Sequence, residues 1–270
     1  MLFAVDVGNT NLTLGVYRND AWAGRWRLKT DPAQTVDGWG VLFRNLFTLT
    51  DLDFADVGGI IISSVVPQLD FSLEEMAKKY FRATPLFVSA AVDTGIALRV
   101  DNPAEVGADR IVNAVSTFHR YGGPCIVVDF GTAVTFDAIS GKGEYLGGAI
   151  CAGIGIASEA LFRRTAQLPH IQIREPENVI GKNTVAHLQS GLYYGTLGMV
   201  EGILGRMKKE LGPKTKVIAT GGQARVVCRG CPSVNKIDDD LTLEGLRIIW
   251  ERNSPSPSRQ RRKAKPLRRL

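Results

Sequence analysis

The sequence predicts an α/β fold made of two related halves, and two observations carry that expectation. Short apolar runs such as Gly59-Ile60-Ile61-Ile62 and Cys125-Ile126-Val127-Val128, suited to strands covered on both faces, alternate with segments of helical periodicity. The second observation is an internal echo. Val5-Asp6-Val7-Gly8-Asn9-Thr10 and Val128-Asp129-Phe130-Gly131-Thr132 each close an apolar strand with Asp, then Gly two residues on, then Thr.

The chain opens as a hairpin: Leu2 to Val5 extended, Gly8 to Asn11 as turn chemistry, Leu12 to Tyr17 extended again, with a third strand at Arg25 to Lys29. Val36, Trp39, Phe43, Leu46 and Phe47 recur at helical spacing, and the strand at Gly59 to Ile62 follows. A helix from about Leu69 to Phe81 precedes a short strand at Leu86 to Val88. A long helix is then expected to begin near Pro103, with Ile111, Ala114, Val115 and Phe118 on one face. After Pro124 the pattern restarts: a strand at Cys125 to Val128, the second Asp-x-Gly turn, and strands at Val134 to Ile139 and Glu144 to Ile150. Helices at about Ile154 to Ala166 and Val185 to Glu210, a strand at Lys216 to Ala219 and a helix near Leu243 to Glu251 complete the second half. The expected division is residues 1–119, residues 120–252 and a tail at 253–270.

At 270 residues, 44% hydrophobic and 22% charged, the chain can bury substantial cores. Its formal charge of +6 invites a nucleic-acid reading, but seven basic residues lie in the last eighteen, and removing their charge leaves −1. That tail, with Ser254-Pro255-Ser256-Pro257-Ser258 and almost no apolar content, reads as disordered. Weak tail contacts with polyanions aside, no nucleic-acid partner is expected. No apolar run approaches the roughly 20 residues that span a bilayer, and Met1 leads directly into a strand without a signal-peptide pattern, so the expectation is no membrane and a cytoplasmic location. Cys228-Arg229-Gly230-Cys231 is a lone CxxC, and His119, His170 and His187 have no paired ligand spacing, so the cysteines are read as incidental thiols.

The Asp-x-Gly turns carry the chemistry. Gly8 permits close backbone approach to a polyphosphate, neighbouring N–H groups suit anionic oxygens, and Asp6 can hold hydrated Mg²⁺. One such turn is often only a hairpin. Two of them, facing each other across a cleft, would suit phosphoryl transfer, which needs mainly positioning and charge stabilisation. Thr220-Gly221-Gly222, following an apolar strand, offers backbone that can lie flat against an adenine or ribose.

The segments Asp6 to Asn11, Asp101-Asn102-Pro103-Ala104-Glu105-Val106-Gly107-Ala108-Asp109-Arg110, Asp129-Phe130-Gly131-Thr132-Ala133 and Gly181-Lys182-Asn183-Thr184 together resemble the motif set of type III pantothenate kinases, in the same order and spacing. Glu159 to Arg163, Leu168-Pro169, Ser190 to Leu192 and Asp240 to Gly245 extend the resemblance from residue 1 to about 252. It implies the two-domain acetate kinase/sugar kinase/Hsp70/actin fold, ribonuclease H-like with duplicated halves, and phosphorylation of pantothenate by ATP as the first step of coenzyme A synthesis.

The same resemblance implies the site. Asp6, Val7, Gly8, Asn9, Thr10, Asn11, Leu12 and Thr13, with Thr132, would bind ATP. Gly107, Ala108, Asp109 and Arg110 would meet pantothenate, Asp109 being the proton acceptor and Arg110 a partner for the substrate carboxylate. Asp129 would hold a monovalent cation, K⁺ or NH₄⁺, and Thr184 would complete a neighbouring active site in a homodimer. Read without the resemblance, Asp109 is an acidic residue in the first turn of a helix, and Thr184 stands where Asn or Thr commonly caps one. One departure stands out, Val100 where many family members carry a substrate-contacting Tyr. The rival readings are a catalytically silent accessory or regulatory protein of the same fold, or a kinase of another small hydroxylated substrate.

Overall fold

The computed structural model describes residues 1–164, 168–169 and 171–254. His170, the expected end of a helix at Ala166 and the basic tail beyond Ser254 lie outside the described residues. By its contacts the described chain divides into two compact units that interleave in sequence: 1–95, 107–112 and 243–254 form one, 96–106 and 113–242 the other.

In the first unit, β1 (Leu2–Val7) pairs antiparallel with β2 (Asn11–Arg18), and β2 pairs antiparallel with β3 (Ala21–Lys29). Helix α1 (Val36–Thr48) is capped by Thr35, whose hydroxyl accepts from Gly38 N–H at 3.1 Å. It buries Trp39, Phe43 and Phe47 on one stripe, as the spacing predicts. Strand β4 (Gly59–Ser64) is parallel to β1, helix α2 runs Pro67–Met76 with Pro in its first turn, and β5 (Leu86–Phe87) is parallel to β4. The sheet order is β3-β2-β1-β4-β5. Phe3 anchors its core, edge-on to Phe43 and Phe47 with ring centroids 5.4 and 5.3 Å away and stacked on Phe81 at 5.5 Å.

The second unit includes the short β6 (Ala97–Leu98), which the sequence reading does not contain. The helix expected near Pro103 begins later. Asn102 caps only a 3₁₀ turn at Pro103–Glu105, Val106 is extended, and α3 starts at Ala108 and runs to Tyr121. From Ile111 to Thr117 every residue of α3 is buried, the polar Asn113, Ser116 and Thr117 as well as the apolar Ile111, Val112, Ala114 and Val115. Strands β7 (Cys125–Phe130), β8 (Ala133–Ile139) and β9 (Glu144–Ala152) form an antiparallel meander. Helix α4 is described over Ile154–Arg164, and α5 spans Thr184–Leu211. Strand β10 (Lys216–Thr220) lies parallel to β7, the short α6 covers Ala224–Val227, and β11 (Lys236–Ile237) lies parallel to β10. Helix α7 (Leu241–Asn253) closes the described chain.

The second sheet runs β11-β10-β7-β8-β9-β6. Read from β9 to β11 it repeats the first sheet strand for strand, an antiparallel meander followed by two parallel additions, with β6 added at the β9 edge. The echo of the two Asp-x-Gly segments is thus an echo of topology. Asp6 pairs in register with Thr13 and Ser63, Asp129 with Thr135 and Thr220.

Candidate active site

In the first unit β1 delivers Asp6 to its carboxyl end and the chain reverses at once, Gly8 N–H donating to Asn11 C=O at 3.1 Å. A Cβ on Gly8 would stand 3.0 Å from that carbonyl, so the turn closes this tightly only around glycine. Thr30, just after β3, clamps the turn from outside: its hydroxyl donates to Gly8 C=O at 2.6 Å and its N–H to Thr10 C=O at 2.9 Å. Asn9 and Thr10 are exposed, and Asp6, Gly8, Asn11 and Thr13 are half-buried. Val7 and Leu12 are core residues, so only their backbone is available to a ligand. Residue types and exposure here fit a polyphosphate with a hydrated divalent ion, the carboxylate of Asp6 being the hard oxygen donor such an ion takes.

Asp109 sits in the first turn of α3, also within the first unit. Its carboxylate folds back to accept the Arg110 N–H at 2.7 Å, and the Arg110 and Ile111 N–H groups reach Gly107 C=O at 3.1 and 3.2 Å. Gly107 leaves room for this: a Cβ there would lie 2.7 Å from Asp109 Oδ1. Burial pushes the Asp109 carboxyl above the ordinary aspartate range, against a lowering pull from the Arg110 N–H and guanidinium. A carboxylate raised in this way is a better proton acceptor than a solvated one.

The second unit repeats the turn. Gly131 N–H donates to Ala133 C=O at 3.0 Å, and Gly153, placed after β9 as Thr30 is after β3, donates its N–H to Thr132 C=O at 3.1 Å. Gly153 must be small, since its Cβ would lie 2.3 Å from that same carbonyl. Thr132 is exposed and Asp129 half-buried. Asn113 donates to Asp129 Oδ2 at 3.0 Å, and Gly221, at φ +93°, passes so close that a Cβ would stand 2.4 Å from Asp129 Oδ1. The glycine at 221 is therefore demanded by Asp129 and the Phe130 backbone. Its use as a flat platform for adenine or ribose is a separate matter.

Thr184 is the first residue of α5 and exposed; the cap is Asn183, whose side chain accepts from Ala186 N–H at 2.9 Å. Val100 is half-buried against the core that contains Tyr145, and its Cγ1 would be 3.7 Å from a Cβ on Gly147. Thr30, Asn113 and Gly153 are the residues that sequence reasoning missed. Asn113, one helical turn after Asp109, carried a legible signal, a lone amide among apolar neighbours. Among the described residues no cluster of three His, Cys, Asp or Glu could hold a metal ion by itself, and no helix is long and apolar enough to cross a membrane.

Two meanders extended by parallel strands, each with an Asp-x-Gly turn at the end of its first strand, define a protein of the acetate kinase/sugar kinase/Hsp70/actin fold. In keeping with this, the chain is similar to the activator of 2-hydroxyisocaproyl-CoA dehydratase from Clostridium difficile, solved with ADPNP bound, at a TM-score of 0.55 and 12% identity, covering 98% of each chain. Within that fold the chain belongs to the type III pantothenate kinase family, whose model matches residues 2–206. It is 54% identical over 255 residues to the type III pantothenate kinase of Solibacter usitatus, covering 94% of this chain and 98% of the relative. It is also 54% identical over 275 residues to that of Koribacter versatilis, covering 98% and 100%. A kinase of this family uses ATP with a divalent metal ion.

Proposed function

We infer that this protein transfers the γ-phosphoryl group of ATP to the primary hydroxyl of pantothenate, giving 4′-phosphopantothenate and ADP, the first step of coenzyme A biosynthesis. The observation that carries the reading beyond kinship is the half-buried Asp109 carboxylate, lifted in pKa and held at the start of α3 beside Arg110. As the hydroxyl oxygen bonds to the γ-phosphorus, its proton passes to Asp109, and the bond from that phosphorus to the β–γ bridging oxygen breaks to release ADP. Arg110 pairs with the pantothenate carboxylate. The turn from Asp6 to Thr13 takes the ATP phosphates through backbone and hydroxyl groups, with Thr132 a further ATP contact. Asp6 would hold Mg²⁺ through water, and the ion would supply charge neutralisation at the phosphates.

K⁺ or NH₄⁺ at Asp129 is the finer part of the cofactor reading, a carboxylate being the oxygen ligand that such a hard ion takes. A homodimer completed through Thr184 is favoured by apolar side chains left in water nearby in sequence, Val179 at 61%, Ile180 at 84% and Val185 at 43% exposed. On this reading the protein works in the cytoplasm, where ATP is available.

The test is ADP release in pantothenate, MgATP and KCl, with mass-spectrometric detection of the phosphorylated product. Wild type should turn over, and Asp109→Asn about 10²–10⁴-fold more slowly. Equal rates in the two would remove Asp109 from the mechanism, and release without phosphopantothenate would assign the kinase another hydroxylated substrate. Light scattering on the same protein should give twice the chain mass.

A further inference from the structure

Asp129 is gripped from two sides by groups of its own unit. Asn113 Nδ2 donates to Oδ2 at 3.0 Å, and the backbone of Gly221 closes on Oδ1. Asn113 is itself oriented. It is 1% exposed, and its Oδ1 accepts the Thr242 hydroxyl at 2.8 Å. An ionised carboxylate only accepts, so the amide must present its NH₂ to Asp129, which leaves the amide oxygen for Thr242 to satisfy.

The chemistry of this chain of contacts is selective. An Arg or Lys at position 113 would orient Asp129 equally well but would neutralise it. The neutral amide fixes the carboxylate plane and leaves its charge available to a cation. A freely rotating carboxylate would lose its rotational freedom each time an ion bound, whereas one already fixed has less to lose.

We propose that Asn113, seated by Thr242, is the positioning residue that presents the Asp129 carboxylate to a monovalent cation. The inference rests on the reading of Asp129 as the cation ligand, and the experiment separates the two. The full chain is melted in rising KCl, with N-methylglucamine chloride holding ionic strength constant, and the midpoint of the K⁺-dependent rise in Tm is recorded without substrate. A parallel MgATP titration serves as the control.

Asn113→Leu, which removes one hydrogen bond to a charged group at similar volume, should raise the K⁺ midpoint about tenfold or more. Thr242→Val should raise it about threefold, and Thr242→Ser should restore the wild-type value, while the MgATP midpoint stays put in all of them. Asp129→Asn should abolish the K⁺ response. A merely structural role for Asn113 would lower Tm at every K⁺ concentration without moving the midpoint, and that result overturns the proposal. If Asn113→Leu does not fold, the Thr242 pair decides: a wild-type midpoint in Thr242→Val overturns it. Should wild type show no K⁺ response, or Asp129→Asn keep one, the Asp129 reading fails and this inference with it.

Discussion

Gly107 and Asp109 occupy one another's space: a Cβ on Gly107 would stand 2.7 Å from Asp109 Oδ1. The carboxylate folds back over the glycine to meet the Arg110 N–H, and nothing larger than hydrogen at position 107 permits that rotamer. The obstructing atom belongs to a side chain that can swing away, so Gly107→Ala should cost little stability. Displacing the proposed proton acceptor by about an ångström should lower kcat by about 10²-fold. Steady-state kinetics beside a melting curve checks both halves, and a variant with normal kcat would contradict the geometry.

Asp109→Asn separates function from stability. Turnover should drop about 10²–10⁴-fold, the usual worth of a general base. A carboxyl whose folded pKa is raised stabilises the fold fully below its unfolded value, and that contribution is lost as pH rises through the folded value. At pH 7 the wild type therefore carries the cost of a buried charge that Asn lacks, and Asp109→Asn should melt at an equal or higher temperature, the gain shrinking toward acid. For the same reason the acid limb of wild-type kcat/KM should lie above 3.8, the ordinary aspartate value. Melting curves from pH 4 to 8 and a pH–rate profile test the two statements.

Thr30 should matter to ATP although it lies outside the phosphate turn. Thr30→Val keeps the shape and the N–H bond to Thr10 but strips the hydroxyl from Gly8 C=O. The expected loss is about 1 kcal/mol of stability, with a KM for ATP raised several-fold, about 3–10, and a smaller change in kcat. An unchanged KM would mean that the turn keeps its form without the clamp.

Gly221→Ala should be a stability mutant. The residue sits at φ +93°, and a Cβ would lie 2.6 Å from Phe130 N as well as 2.4 Å from Asp129 Oδ1, so backbone as well as side chain must shift. A strained left-handed alanine costs about 1–3 kcal/mol, which for a chain of this size lowers Tm by about 2–4 °C per kcal/mol. Calorimetry reads the outcome.

The CxxC pair should be chemically quiet. Burial pushes the Cys228 and Cys231 thiols up to about 12, with Glu201 beside Cys231 acting in the same direction. At pH 8 the thiolate fraction is on the order of 10⁻⁴, so an aromatic disulfide reagent should label these two only after unfolding in guanidinium, and a chelator should leave Tm unchanged. Rapid labelling of the native protein would reopen a redox reading.

The sequence alone determined the order of the longer strands and helices, the duplication and the residues at the two turns, because strand burial, helical spacing and Asp-x-Gly turns are local properties that each segment states for itself. It misplaced what depends on neighbours. α3 begins at Ala108 because Asn102 spends its cap on a 3₁₀ turn, and β6 is two residues that become a strand only beside β9. The resemblance pointed to Asp109 and Asp129 by motif. Only tertiary structure decided that burial lifts the Asp109 carboxyl, that Gly107 seats it, and that Asn113, Thr242 and Gly221 fix Asp129. Those contacts join residues 16, 92 and 129 positions apart, counting from Asn113 to Asp129, Asp129 to Gly221 and Asn113 to Thr242, and no local pattern encodes an encounter at that separation.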